Sequence, residues 1–192
     1  MKKIIFATKN RGKAKEVKHI FQSLDVEIIS LNDIDESIEI EETGVTFEEN
    51  ALLKARIVFD KFKLPTIADD SGLVVEQLNG APGIYSSRYA GDDGNDIANN
   101  RKLLTELKKY PHPHKAKFVC SAVYYDENNS HTSEGEISGR IIEDERGTNG
   151  FGYDPLFVPE NYEKTLAEFE SEIKNKISHR YQAFIKLKKQ IK

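Results

Sequence analysis

Asp69 and Asp70 stand side by side where the apolar run Thr66 to Ala68 ends, and Ser71-Gly72 follows as a turn. Successive side chains of a strand point to opposite faces. The pair therefore predicts one acid aimed into a pocket and the other left to structure, not a two-acid dyad. A carboxylate delivered at a strand end suits a hard, oxygen-binding cation such as Mg2+. Glu41-Glu42 offers a second carboxylate, and spacing leaves open which of the two would face the ion. Thr8-Lys9-Asn10-Arg11-Gly12-Lys13 collects hydroxyl, amide and cationic donors where a strand gives way to a helix. Free N–H groups at a helix N-terminus attract an anion such as phosphate. An Asn or Thr cap flanked by solvated lysines accounts for the same residues as well, and the Walker pattern is absent.

Two further segments carry donors or rings. Phe151-Gly152-Tyr153-Asp154-Pro155 combines close backbone approach at a glycine with two aromatic rings able to stack on a base, and a carboxylate; a turn holding core aromatics is the plainer reading. Lys174-Asn175-Lys176-Ile177-Ser178-His179-Arg180 gathers donors at the start of the last helix, fit either for a cap with exposed charges or for a purine edge and phosphates. Gly147, Gly150 and Gly152 do not spell the dinucleotide fingerprint. His112-x-His114 lacks a third metal ligand and reads as surface histidines between prolines, and no serine or cysteine triad assembles.

The elements needed to position these residues are legible in the apolar pattern. Lys3 to Ala7 predicts a buried strand, and Val17, Ile20, Phe21 and Leu24 a helix after it. Val26 to Ile29 is a second strand, followed by the acidic segment Asp33 to Glu42. Thr46 and Glu49 form a capping box for a helix whose stripe is Phe47, Ala51, Ala55, Val58, Phe59 and Phe62, ending before Pro65. Thr66 to Asp70 and Leu73 to Val75 read as strands. Asn79-Gly80 and Pro82-Gly83 turn a loop-rich region that runs to Gly94. Asp96 to Leu107 is a helix with Ile97, Leu103, Leu104 and Leu107 inward, broken by Pro111-His112-Pro113. Lys115 to Tyr125 and His131 to Ile142 flank an Asn128-Asn129 turn as a long antiparallel hairpin. A glycine-rich loop, Gly147 to Gly152, then leads to a short strand around Leu156 to Val158 and a last helix with Ala183, Phe184 and Leu187 inward. The order is α/β: a single domain over 1–192, with a mixed twisted β-sheet flanked by helices and extended by the hairpin.

Composition narrows the function classes. Of 192 residues, 38% are hydrophobic and 31% charged, as in a soluble globular protein. The net charge of −4 disfavours a nucleic-acid partner, and the basic cluster Lys186 to Lys192 reads as a solvated helix end. The apolar runs are too short to span a membrane and Met1-Lys2-Lys3 opens no signal peptide. Cys120 is the only cysteine, which excludes an intramolecular disulfide and fits a cytoplasmic setting.

Taken in order, the motifs Ala7-Thr8-Lys9-Asn10 with Lys13 and Glu16, Glu41-Glu42-Thr43-Gly44, Phe47-x-x-Asn50-Ala51-x-x-Lys54-Ala55, Ala68-Asp69-Asp70-Ser71-Gly72-Leu73, Gly80 to Tyr89, Gly150 to Pro155 and Lys174-Asn175-x-Ile177-Ser178-His179-Arg180 resemble the inosine triphosphate pyrophosphatase family of the Ham1 type. The resemblance spans nearly the whole chain. It implies a homodimeric, Mg2+-dependent enzyme that hydrolyses a small-molecule purine nucleoside triphosphate (ITP, dITP or XTP) to the monophosphate and pyrophosphate. Carried over by position, it implies that Thr8, Lys9, Asn10, Arg11, Gly12 and Lys13 hold the triphosphate. Glu41 and Asp70 then hold metal, with Asp70 also accepting the proton of the attacking water. Ser71, Phe151, Gly152, Tyr153, Asp154, Lys174, His179 and Arg180 line the nucleotide site, with Lys54 a secondary phosphate contact. Lys9, Asn149 and Ile173 depart from the family pattern without removing a group the chemistry needs. The alternatives are a pyrophosphatase for another modified nucleotide and a nucleotide-binding regulatory module without turnover.

Overall fold

β1 (Lys2–Phe6) alternates its apolar side chains to both faces, so it must be covered on both. In the structure, a computed structural model describing residues 1–34 and 38–191, it is central to its neighbours. It pairs in parallel with β2 (Val26–Ser30) on one side and β3 (Thr66–Val75) on the other. Parallel neighbours require a crossover. α1 (Arg11–Phe21) supplies the first and α2 (Phe47–Phe62) follows β2. The chain continues with α3 (Asp96–Leu107), β4 (His114–Tyr125), β5 (Ser130–Ile141), β6 (Phe157–Pro159), α4 (Ser171–Ile177) and α5 (His179–Lys188). The six-stranded sheet has the order β2-β1-β3-β4-β5-β6, mixed as expected, with β6 antiparallel to β5. β4 and β5 are the expected long hairpin, closed by an Asp126 N–H bond to the Asn129 carbonyl at 2.9 Å. Asp35, Glu36 and Lys192, parts of the acidic segment and of the basic terminal cluster, lie outside the described residues.

Two compact units emerge from the packing. The first comprises Met1–Asp70, Cys120–Gly135 and Arg180–Lys192, and the second Ser71–Val119 and Glu136–His179. Within the first, the sheet has a core on each face. Ile4, Phe6, Ile67 and Cys120 pack with Val17, Ile20 and Phe21 of α1 and Ala183, Phe184 and Leu187 of α5. Ile5, Ala7, Ala68 and Val123 pack instead with Ala51, Ala55 and Val58 of α2. Two faces, read residue by residue, give the period of two that a doubly covered strand requires. In the second unit, Leu73, Val75, Phe118 and Phe157 share one core with Leu103 and Leu107 of α3 and with Tyr153 and Phe169.

Caps set the helix starts. Asn10 accepts from the Lys13 N–H at 3.0 Å, and Thr46 from the Glu49 N–H at 3.1 Å. Glu49 reaches back to the N–H of Val45, one residue before the expected capping-box partner, at 2.7 Å. The basic C-terminal residues differ from a purely solvated end. Lys186 donates to the Glu134 carbonyl at 2.7 Å and Lys188 to the Ile20 carbonyl at 2.8 Å.

Three expectations are corrected. Asp69 and Asp70 are not at a strand end followed by a turn, because β3 runs unbroken through Ser71-Gly72 to Val75; strand pairing overrides the local turn preference. Ile97 is 74% exposed, and its α3 neighbours Asn99 and Asn100 are buried in its place. Their amides serve loop backbone that an isoleucine would leave unpaired: Asn99 accepts from the Ala90 N–H, and Asn100 donates to the Gly152 carbonyl. His114 is buried, not a surface residue, with its ring centroid 4.2 Å from that of His112.

Candidate active site

β3 sends Asp69 and Asp70 to opposite faces of the sheet, and each meets different partners. Asp69 shares the face of Ile67 and Cys120. Its Oδ2 takes the Lys13 ammonium at 3.1 Å and the Arg180 Nε at 3.2 Å, while Arg180 Nη1 donates to Glu16 Oε2 at 2.7 Å. Arg180 is only 2% exposed, so an otherwise forbidden buried guanidinium is held by two carboxylates. Burial works against the charge of Asp69, but Lys13, Arg180 and Lys54 outweigh it and depress its pKa well below the usual carboxylate range. The neighbouring Cys120 thiol is pushed far up by burial, and is inert as a nucleophile.

Asp70 shares the face of Ala68 and meets α2. Asn50 and Lys54 lie four residues apart, hence on one side of that helix. Asn50 Nδ2 donates to Asp70 Oδ2 at 3.2 Å, and Lys54 Nζ lies 3.4 Å from Asp70 Oδ1 and 2.7 Å from Glu42 Oε1. The Asn50 carbonyl oxygen accepts from the Gly44 N–H at 2.8 Å, which ties the Glu41-Glu42 loop to the same amide. Residue 44 must be glycine for this approach, since an added Cβ would sit 2.7 Å from Asn50 Oδ1. Burial, the largest influence, raises the Asp70 carboxyl above its ordinary value against the pull of Lys54 and Lys13. Burial likewise works against the Lys54 ammonium, but Asp70 and Glu42 outweigh it and raise its pKa.

The two glutamates differ in their contacts. Glu41 is exposed, and Glu42 meets the Lys54 ammonium, which also lies beside Asp70. Among the described residues no group of three or more His, Cys, Asp or Glu side chains could hold a metal ion. The two oxygen donors present still match Mg2+, which binds through one or two carboxylates and completes its shell with water and phosphate oxygens. Of the opening loop, Thr8 is buried and accepts from the Asn10 N–H at 3.1 Å, Lys9 and Arg11 are exposed, Gly12 lies in the first turn of α1, and Lys13 places one of its three ammonium donors on Asp69.

In the second unit, the Phe151–Asp154 loop is fastened from several sides. Asp154 Oδ2 accepts the Phe151 N–H at 2.9 Å and the Lys174 ammonium at 2.7 Å, and Lys174 Nζ stands 4.9 Å from the Phe151 ring centroid. Gly150, at φ 84°, leaves room for the Asp154 carboxylate where a Cβ would collide with it. Asp96 accepts the Gly152 N–H at 2.7 Å, and Asn149 donates to the Phe169 carbonyl at 3.0 Å. The two rings of the motif therefore part company. Tyr153 is a core residue whose hydroxyl donates to the Ser86 carbonyl at 2.9 Å, whereas Phe151 keeps exposed surface. Ser71 is half-buried on β3. His179 is buried and stacks on Phe118 at 4.8 Å, and Arg180 is buried too, so neither is an exposed charge. Ile173 is 49% exposed.

Sequence reasoning did not give roles to Glu16 or Asn50, and it left Glu41 and Glu42 as alternatives. A signal was present for each acid and amide on a helix: Glu16 adjoins the buried Val17, and Asn50 sits in the stripe of Ala51, Ala55 and Val58. A polar residue on an inward face must have a partner.

The Ham1 family model matches residues 4–190. A dITP/XTP pyrophosphatase of Oceanobacillus iheyensis is 50% identical over 192 residues, covering 98% of each chain. The Ham1 protein of Staphylococcus aureus superposes with a TM-score of 0.88 at 41% identity, covering 99% of this chain and 98% of that one. A HAM1 protein from Coxiella burnetii superposes at 0.90 with 37% identity, covering 100% and 98%.

Proposed function

Since the chain belongs to the Ham1 family, we propose that it hydrolyses the deaminated purine nucleoside triphosphates ITP, dITP and XTP to the monophosphate and pyrophosphate. Asp70 carries the reading: a desolvated carboxylate with a second carboxylate and one ammonium beside it, in a chain similar over its whole length to proteins of that name. Glu42 and Asp70 would hold Mg2+; the contact of Glu42 with Lys54 supports it over Glu41. When bound, the ion supplies charge neutralisation at the phosphate oxygens and the leaving pyrophosphate.

Water attacks the α-phosphorus in line with the departing pyrophosphate, and Asp70 accepts its proton. A carboxyl raised by burial is a better acceptor at neutral pH than an ordinary one. Asn50 fixes the carboxylate through Oδ2. Little covalent chemistry is left for the protein, so positioning and charge carry the rate. Thr8 to Lys13 meet the triphosphate with the N-terminus of α1, and Lys13 and Lys174 add charge-assisted hydrogen bonds of roughly 1.5–3 kcal/mol each. Phe151 offers a stacking face, and Ser71, Gly152, Lys174 and His179 line the nucleotide site. Tyr153 and Asp154 hold that loop, and Arg180 holds Asp69. Hypoxanthine and xanthine carry an acceptor O6 where adenine carries an amino group. A donor such as His179 would face adenine donor against donor, which is how large discrimination arises. The chain, 1–192, works as one domain in a cytoplasmic homodimer without nucleic-acid or membrane partners. No helix among the described residues is long and apolar enough to cross a membrane.

The test is product analysis with Mg2+ and ITP, XTP, dITP, GTP, ATP, UTP and TTP in parallel. Pyrophosphate from ITP, dITP and XTP, with little from ATP or GTP, is expected. Orthophosphate as the product would place cleavage at another bond and overturn the mechanism. ITP binding without product would leave a regulatory module.

A further inference from the structure

Resting on that reading of the Glu42–Asp70 pair, we infer that Lys54 is a resident counter-cation whose ammonium must leave for a divalent metal to enter. Its Nζ lies 2.7 Å from Glu42 Oε1 and 3.4 Å from Asp70 Oδ1, at the point where the two carboxylates converge. The three side chains are 11%, 21% and 8% exposed, so little water is at hand to screen them. Two carboxylates with no cation between them would repel in a poorly solvated place, and removing one member of such a group is costly. A metal bound there brings its own positive charge and needs the same oxygens. The ammonium and the metal are thus alternatives.

The surroundings assign the movement to Lys54. Asp70 is held from its other oxygen by Asn50 at 3.2 Å, and Asn50 is held in turn by the Gly44 N–H at 2.8 Å, so the acid stays in place. Lys54 is rooted in the middle of α2, but its ammonium ends a flexible four-carbon stem and is a compact charge that can swing away. An ammonium seated about nine-tenths of the time weakens apparent metal affinity about tenfold, because only the vacated form binds.

The experiment is equilibrium Mn2+ binding, followed by electron paramagnetic resonance on nucleotide-free protein. Lys54→Met should bind Mn2+ about tenfold more tightly than wild type. Lys63→Met removes the same charge from an exposed position and should leave affinity unchanged. Equal or weaker binding by Lys54→Met, or an equal gain in Lys63→Met, overturns the inference. Asp70→Asn binding as tightly as wild type overturns instead the metal-site reading beneath it. Amine-selective acylation of wild type, mapped by peptide mass spectrometry, needs no variant to fold. Labelling of Lys54 should rise with saturating Mg2+ while that of Lys63 stays constant, and constant labelling of Lys54 with metal bound overturns the displacement.

Discussion

Asp69 and Asp70 are adjacent, both carboxylates and both buried, yet the protein shifts them in opposite directions. Asp69 has two cations in contact through one oxygen, Lys13 and Arg180, and its proton is held far less tightly than usual. Asp70 has a single ammonium, which Glu42 shares at the shorter distance, and its proton is held more tightly. The number of positive charges per carboxylate, not burial, separates them. A fully neutralised acid is a structural anchor, and an under-neutralised one keeps an appetite for a cation or a proton.

The sharpest way to break this contrast is Asp70→Asn, which keeps the shape and removes the proton acceptor. Turnover of ITP should fall about 10²- to 10⁴-fold, with circular dichroism and melting close to wild type. Retained turnover would remove Asp70 from the chemistry. On the other face, Arg180→Ala strips one cation from Asp69 and removes the guanidinium that Glu16 accepts from. Denaturant unfolding should show a loss of about 3–5 kcal/mol. A melt like that of wild type would show that the guanidinium anchors nothing. Asn50→Ala falls between the two roles, since it unpairs Asp70 Oδ2 and the Gly44 N–H together. We expect a loss of about 1–3 kcal/mol, together with reduced kcat. The smallest effect is in acid. Because the Asp69 pKa is depressed on folding, its contribution is complete above the ordinary aspartate value of about 3.9 and is lost as pH falls below it. Urea midpoints measured from pH 6 downward should decline below about pH 4, and Asp69→Asn should flatten that limb.

The element sequence was legible because it rests on local rules. The stripes of α1 and α2, the Thr46 cap and the β4–β5 hairpin all follow from period and turn chemistry. The opposite facing of Asp69 and Asp70 was legible too, as a property of any strand. What could not be read is which partner waits on each face. Glu16 and Arg180 are 164 residues apart, and no spacing rule joins them. That Glu42 meets Lys54 while Glu41 is exposed depends on how a loop is pinned by Asn50, and the continuity of β3 through Ser71-Gly72 on backbone pairing. Ile97 failed for a related reason: its apolar side chain fits the helical stripe, but the first turn of α3 is needed to hydrogen-bond loops that the sequence does not place.

The Asp69–Arg180 contact also has a schedule. Its partners are separated by 111 residues, so at roughly 5–20 residues per second a ribosome takes on the order of 6–22 s between making the acid and making the guanidinium that neutralises it. Throughout that interval the nascent chain carries the aspartate without its arginine. A polypeptide truncated before Arg180 can never acquire that partner, so the pairing of Asp69 waits on the last helix.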